Sequence, residues 1–221
     1  NVWDNGGKVG GYGKFANQEN TLAPWLKAAG YTTAHVGKYM NGYNNSVANR
    51  VPPGWDQWFN IVDVPGEAYP YYGYTVSDNG VPRNYGTADE DYATDVFADR
   101  ALANLKAMEA SGQPFFLDFW PTAPHYGRGR TPTNHLGPAA APQYEQAHAG
   151  AQAPRTPNFL PEENNIPAPL KNMAGLFRQA TGAKEAYPQL IDDSYRDYVN
   201  SLLSVDDAVE RLINELDASG K

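Results

Sequence analysis

The pattern of hydrophobic and polar positions predicts a fold in which helices alternate with short buried strands. Residues 21–29 carry apolar side chains at helical spacing, and after Gly30 the run 31–36 is β-branched, aromatic and largely apolar. The same order recurs downstream, where a helical pattern over 91–110 precedes the apolar run 114–120. Helices that alternate with buried strands are typical of α/β domains with mostly parallel sheets. The sequence therefore predicts an α/β fold.

Two predicted helices carry an apolar stripe. The last helix, predicted over 191–216, has apolar residues at alternating steps of four and three, a stripe expected to pack on the core. These residues are Ile191, Tyr195, Tyr198, Leu202, Val205, Val209, Leu212 and Leu216. In the first helix, which Thr21 is expected to cap, the predicted apolar face consists of Leu22, Trp25, Leu26 and Ala29.

Between these elements the sequence predicts loops and turns. The glycine-rich residues 1–14 are expected to form a surface loop that leads into the first helix. The pair Asn79-Gly80 predicts a tight turn inside a β-hairpin over 71–85. Residues 122–190 are predicted to be a long irregular region on the active-site side, with one short helix at 170–179.

A tryptophan-rich stretch over 40–63 is also predicted to be irregular, because two prolines and a glycine force turns there. Its large side chains, Trp55 and Trp58, are expected to fill the core of the domain. A platform on which sugar rings stack is the alternative role for these two side chains.

Composition narrows the classes of function. The 221 residues are 41% hydrophobic, which favours a globular protein, and no apolar run is long enough to cross a bilayer. The net charge of −8 argues against nonspecific nucleic-acid binding, and it means that an anionic substrate would need a local basic pocket. Arg128 and Arg130 could supply one, although solvated loop charges are the simpler interpretation. Without cysteine the chain has no disulfide, no cysteine metal site and no thiol nucleophile.

Lys38 and His125 are the candidate catalytic residues because each follows a predicted buried strand. Ligands bind at the carboxyl ends of strands in open α/β sheets, and parallel strands bring both side chains to the same edge. A lysine can place a point charge on an anion, and a histidine can donate to the anion or protonate a leaving group. On the residues alone, a solvated side chain is the simpler interpretation of Lys38. For His125, a structural role as the cap of a turn is as plausible as a catalytic one.

The other titratable residues are expected to have structural roles. His35 lies inside the first strand and is interpreted as a satisfied core residue. His135 and His148 match no metal-ligand spacing. The pair Asp206-Asp207 lies off the apolar stripe of the last helix and is interpreted as a solvated face.

Several segments, taken in order, carry a resemblance to a known family. A helix that ends in AAGY, followed by a strand that ends in GKY, resembles the second signature of the sulfatase family. Further segments follow in the order and spacing of the N-acetylglucosamine-6-sulfatase branch of that family. They are VPPGWDQWF (51–59), YYGYTVSDNG (71–80), TAPHYG (122–127), APQY (141–144) and LLSVDDAVERL (202–212). The likeness covers roughly residues 15–221.

The resemblance implies an alkaline-phosphatase-like mixed sheet flanked by helices, incomplete in this chain. It implies a sulfuric ester hydrolase that removes 6-O-sulfate from N-acetylglucosamine-type residues of a sulfated glycan, in a secreted, periplasmic or lysosomal protein. In sulfatases the lysine of the GK motif and the histidine of the APH motif contact the sulfate, and these positions match Lys38 and His125. Met40 stands where many sulfatases have a second histidine, a departure that the glucosamine-6-sulfatase branch shares.

The resemblance further implies a calcium ion (Ca²⁺) and a formylglycine nucleophile. The residues that bind this ion in the family, and the residue that becomes formylglycine, have no counterpart in this chain. The chain lacks the C/S-x-P-x-R motif, and in the family that motif and the calcium ligands lie outside the matched segments. We therefore expect residues 1–221 to be a single partial catalytic domain, an inactive internal fragment with no metal ligand. The alternatives are a phosphodiesterase or phosphonate hydrolase of the same superfamily and a non-catalytic glycan-binding pseudoenzyme that uses Trp55 or Trp58.

Overall fold

The computed structural model describes residues 4–5, 10–64, 69–129, 137–157, 159 and 187–220. Seven strands lie in this part of the chain: β1 (Thr32–Gly37), β2 (Gln57–Ile61), β3 (Tyr69–Pro70), β4 (Thr75–Asp78), β5 (Val81–Asn84), β6 (Phe115–Trp120) and β7 (Gly127–Arg128). Its three α-helices are α1 (Leu22–Ala28), α2 (Ala93–Ser111) and α3 (Tyr187–Ser219), and short 3-10 turns span Tyr12–Lys14, Asp89–Asp91 and Pro142–Tyr144. The predicted α/β class is confirmed.

Five strands form one mixed sheet in the order β5-β4-β2-β1-β6, and β3 pairs with β7 separately. The central strand β1 runs parallel to both β2 and β6, whereas β4 and β5 form an antiparallel hairpin at one end. At the tip of this hairpin Asn79 and Gly80 have φ angles of 51° and 84°, the left-handed pair that a two-residue turn of this kind requires. The predicted hairpin is therefore confirmed.

One face of the sheet packs against α2 and forms the main hydrophobic core. Alternate residues of the strands point to this face, as the two-residue period of a strand dictates. The core consists of Val36, Phe59, Ile61, Tyr74, Val76, Ala93, Phe97 and Ala101. The predicted helix at 91–110 and the predicted strands at 31–36 and 114–120 are all present, shifted at their ends by a few residues.

The stretch 40–63, predicted to be irregular throughout, contains the parallel strand β2. Trp58 is fully buried in it, and Asn60 is a buried polar residue in the same strand. A five-residue strand with polar residues and no alternation has little local signal, and its hydrogen bonds come from β1 and β4, which are distant in sequence. Burial of Trp58 confirms its core role and rules out a sugar-stacking role for this side chain.

The predicted apolar face of α1 is wrong, because its two largest members point outward. Leu22 is 52% exposed and Trp25 is 57% exposed, whereas the small Ala23 is buried. The reason is the close approach of Gly54, whose added Cβ would lie 2.2 Å from Pro24 N. A backbone can come this near only on a side of the helix that carries small residues.

The apolar stripe of the last helix is also only partly buried. Tyr198, Leu202 and Val209 are exposed, and Leu212 packs at the edge of the main core. The buried face of α3 lies beside this stripe and contains Asn200, Ser201, Ser204 and Ala208. This face is small and polar, and Asn200 on it bonds the segment 145–148, so tertiary hydrogen bonds as well as hydrophobicity set the rotation of the helix.

Polar side chains on α3 attach the segment 142–157, part of the region predicted to be a long irregular loop. Asn200 accepts the backbone N–H of His148 at 3.1 Å and donates to the carbonyl of Glu145 at 3.0 Å. Further along, Asp192 forms a two-point ion pair with Arg155 at 2.6 and 2.8 Å. The predicted short helix at 170–179 lies outside the described residues.

Candidate active site

The turn that carries Lys38 begins at a glycine that no other residue could replace without strain. Gly37 ends β1 with a φ of 130°, and an added Cβ would lie 1.9 Å from the carbonyl oxygen of Trp120. The same carbonyl accepts the backbone N–H of Lys38 at 2.8 Å. Only glycine allows the two strand ends to meet this closely, so the sequence fixes where Lys38 leaves the sheet.

Lys38 is paired and mostly buried, so the interpretation of a solvated lysine is wrong. Its Nζ lies 3.3 Å from Asp63 Oδ1 and 3.5 Å from Oδ2, and the two side chains are 13% and 11% exposed. The contact with Oδ1 is an ion pair, because this buried oxygen accepts no hydrogen bond from the described residues. Burial lowers the pKa of Lys38, and the Asp63 carboxylate opposes this shift without cancelling it.

Asp63 is a site residue that the sequence alone did not identify. It lies two residues beyond β2, the strand that was not predicted, and its Oδ2 accepts the backbone N–H of Gly42 at 2.6 Å. Asp63 therefore holds both the lysine ammonium and the loop that follows it. The signal that could have found Asp63 is its position just beyond the carboxyl end of a parallel strand.

His125 lies in a tight turn that follows β6. Its backbone N–H donates to the carbonyl of Thr122 at 2.9 Å, and its own carbonyl accepts the hydroxyl of Tyr71 at 2.7 Å. Burial raises the pKa of Tyr71, which keeps that hydroxyl protonated as a donor. The imidazole is exposed, stacks on Tyr126 at a centroid distance of 5.0 Å, and places Nδ1 2.8 Å from the Tyr126 carbonyl.

The structure brings the strands of the two candidate residues side by side. β1 and β6 are parallel neighbours, and the pairing of Gly37 with Trp120 places both carboxyl ends at one edge of the sheet. Lys38 and His125 follow these ends, as the sequence predicted. A buried ammonium and an exposed imidazole at one sheet edge can together stabilise an anion and supply a proton to a leaving oxygen.

Two other residues considered in the sequence, His148 and Asp207, join the segment 142–157 to α3. His148 bonds through its ring to Asn200 at 2.9 Å, and Asp207 accepts the hydroxyl of Tyr144, so Asp207 is more than part of a solvated face. Arg130 and His135 lie outside the described residues, as does the side chain of Arg128.

A cavity of about 270 Å³ lies beside the segment that follows His125. Its walls include Gly127, Gly137, Tyr72, Glu145 and Asp197, and carboxylates on its lining disfavour an anionic occupant.

The described residues do not fit the calcium ion or the formylglycine that the family implies. No cluster of three or more histidine, aspartate or glutamate side chains in this part of the chain is placed to hold a metal ion. The sequence contains neither a cysteine nor a C/S-x-P-x-R motif that could give rise to formylglycine. No chemical step is therefore derived through either group.

Comparison with known proteins decides the family. A family model described as Sulfatase matches residues 3–221, almost the entire chain. The chain belongs to the sulfatase family. It is 35% identical over 210 residues to the N-acetylglucosamine-6-sulfatase of Capra hircus, and this alignment covers 92% of this chain and 34% of the relative. It is also 29% identical to an arylsulfatase of Volvox carteri, in an alignment that covers 97% of this chain and 34% of that protein.

A solved structure supports the alkaline-phosphatase-like sulfatase fold. A protein in complex with its substrate D-glucosamine-2-N,6-O-disulfate aligns with a TM-score of 0.65 at 19% identity. The alignment covers 92% of this chain and 48% of that one, and at this identity it shows the fold alone. This sulfatase chain spans about a third of the length of the curated relatives that it matches. Within its described part, no helix combines the length and the apolar character that a membrane crossing demands.

Proposed function

We propose that the protein hydrolyses sulfuric esters and that Lys38 and His125 take part in the reaction. The observation that supports this proposal is the Lys38 ammonium, which is mostly buried at the carboxyl edge of the sheet next to the strand that leads to His125. Burial lowers the pKa of Lys38 even though Asp63 faces its charge, and an ionisable group perturbed in this way at the carboxyl end of a parallel strand is a candidate functional residue. Membership of the sulfatase family makes a sulfate ester the expected anion.

The two residues have separate roles in this proposal. Transfer of a sulfuryl group between oxygens leaves negative charge on the sulfate oxygens and on the departing oxygen, as in phosphoryl transfer. Lys38 stabilises the charge on a sulfate oxygen from a fixed position, because its ammonium is held by Asp63 and its backbone by Trp120. His125, exposed at the same edge, donates a proton to the leaving oxygen or a hydrogen bond to the sulfate.

The proposed substrate is the 6-O-sulfate of an N-acetylglucosamine-type residue in a sulfated glycan. The support is the 35% identity to an N-acetylglucosamine-6-sulfatase over 92% of this chain. The Volvox arylsulfatase relative, at 29% identity, shows that the family also contains members named for other esters.

The experiment that tests this function compares two esters on the full-length gene product. We expect release of sulfate from N-acetylglucosamine-6-sulfate and little cleavage of a phosphate diester. Cleavage of the phosphate diester without sulfate release would instead support the phosphodiesterase alternative. Binding of the sulfated sugar with no turnover of either ester would support a pseudoenzyme.

Replacing Asp63 with asparagine should shift the alkaline limb of the pH profile of kcat to lower pH. The protonated ammonium of Lys38 is the active form, so activity falls as the pH rises through its pKa. The Asp63 carboxylate raises the pKa of Lys38 and burial lowers it. Removing the carboxylate charge should therefore lower this pKa further. Asparagine keeps an oxygen for the N–H of Gly42, which preserves the loop.

Asp56→Asn is the matched control for this prediction. Asp56 also pairs with a lysine, Lys27, but that pair is more exposed and lies near the start of β1 rather than at its carboxyl end. Its loss should leave the alkaline limb in place. An unchanged limb in Asp63→Asn would show that the lysine ammonium does not set it.

A further inference from the structure

A fully buried histidine lies directly behind the Lys38 turn. His35 sits in the middle of β1 on the face opposite the main core, and its ring is inaccessible to solvent. It stacks on Trp58 at a centroid distance of 4.5 Å and an interplanar angle of 27°. Asp118 of β6 and Asn60 of β2 lie on either side of it in the two neighbouring strands.

Two other hydrogen bonds identify which atom of the Asn60 carboxamide is the oxygen. Its Oδ1 accepts the backbone N–H of Tyr39 at 2.7 Å, and its Nδ2 donates to the carbonyl of Ile61 at 2.6 Å. The atom that faces His35 Nε2 at 3.1 Å is therefore the oxygen. An oxygen acceptor requires that Nε2 carry a hydrogen.

The other ring nitrogen faces a carboxylate. His35 Nδ1 lies 3.0 Å from Asp118 Oδ2, and the Asp118 side chain is only 8% exposed. In the ion-pair form the hydrogen between these two atoms lies on Nδ1, and the charges of the ring and the carboxylate balance each other within hydrogen-bonding distance. With hydrogens on both nitrogens the ring is an imidazolium, and Asp118 balances its charge within the protein.

We propose that His35 is a buried imidazolium that positions the catalytic lysine through Asn60. The imidazolium holds the Asn60 oxygen in place, and that oxygen holds the N–H of Tyr39, the residue after Lys38. The N–H of Lys38 itself is held by the carbonyl of Trp120. Both peptide N–H groups around Lys38 are thus fixed from the two neighbouring strands. His35 is a positioning residue, because it acts on the lysine and not on the substrate.

The role in catalysis rests on the proposed function, whereas the charge and the hydrogen-bond chain do not. The first experiment therefore records the ring nitrogens of His35 by nitrogen-15 NMR in the full-length gene product at pH 7. Both nitrogens should give signals of protonated N–H groups. A single protonated nitrogen would overturn the proposal, because it would mean a neutral ring beside a protonated Asp118. This experiment needs no variant.

The second experiment measures amide hydrogen exchange and turnover in Asp118→Asn. We expect faster exchange at Tyr39 and a fall in kcat of about tenfold to a hundredfold with little change in KM, because a displaced lysine loses transition-state stabilisation. The double variant His35→Gln with Asp118→Asn replaces the ion pair with neutral amides and should recover part of this loss. Unchanged exchange at Tyr39 in Asp118→Asn would overturn the positioning role.

Tyr43→Phe is the matched control, since it also removes a buried polar contact on the same face of the sheet. Its hydroxyl accepts from Trp58 Nε1 and bonds Ser77, and it is not part of the hydrogen-bond chain from Asp118 to the N–H of Tyr39. This variant should lose stability without faster exchange at Tyr39. If the wild-type protein releases no sulfate, the proposed function fails, while the NMR and exchange results still decide whether His35 holds the turn.

Discussion

Replacing Lys38 with alanine in the full-length gene product should lower kcat for sulfate-ester hydrolysis by about 10²–10³-fold, the usual cost of one charge-stabilising group in an active site. The reason is the proposed role of this mostly buried ammonium, which is to stabilise the negative charge that develops on a sulfate oxygen. His125→Ala should also lower kcat by orders of magnitude, because it removes the group proposed to donate a proton to the leaving oxygen or a hydrogen bond to the sulfate. Turnover is measured with N-acetylglucosamine-6-sulfate, and the fold is checked by circular dichroism.

Lys38→Ala also breaks a buried ion pair, so a second variant is needed to separate lost stability from lost catalysis. Lys38→Ala removes the ammonium from the Asp63 carboxylate, which is 11% exposed in the wild-type protein, and this costs about 1–3 kcal/mol of stability. The double variant Lys38→Ala with Asp63→Asn removes the stranded charge, so it should recover stability without recovering turnover. Lys27→Ala, at a more exposed ion pair, should keep full turnover. Near-normal kcat in Lys38→Ala would refute its catalytic role.

Replacing Gly37 with alanine should cost about 2–6 kcal/mol, a large part of the stability of a typical domain. Two effects add. The φ of 130° is strained for any residue with a Cβ, and that Cβ would lie 1.9 Å from the Trp120 carbonyl oxygen. Either the β1–β6 contact opens or the backbone of Lys38 moves. The measurement is the urea midpoint of unfolding, together with kcat of any folded protein.

Gly30→Ala separates these two effects. Gly30 ends α1 with a φ of 88°, and nothing lies within 4 Å of a Cβ built there. The free energy of unfolding of this variant should therefore fall by only about 1–2 kcal/mol, the cost of the left-handed backbone conformation for alanine. Its turnover should be unchanged. Equal losses in the two variants would mean that the close contact with Trp120 contributes nothing.

Features that depend on neighbours in sequence were predictable from the sequence. The Asn79-Gly80 turn follows from the backbone preferences of two adjacent residues, and α2 follows from the helical spacing of its apolar side chains. The positions of Lys38 and His125 beyond two strands, and so at one edge of a parallel sheet, followed from the helix-strand alternation. Family motifs then gave the chemistry that these two residues are proposed to perform.

Only the tertiary structure decided which partners these residues have. Lys38 and Asp63 are separated by 25 positions, and His35 and Asp118 by 83, so no local pattern relates them. Strand β2 has a weak sequence signal and exists because β1 and β4 pair with it, which is also what brings Asn60 and Asp63 to the site. The sequence determined the elements through short-range backbone preference and periodicity. The assembled sheet determined the contacts, because burial and cross-strand hydrogen bonds exist only once distant strands are neighbours.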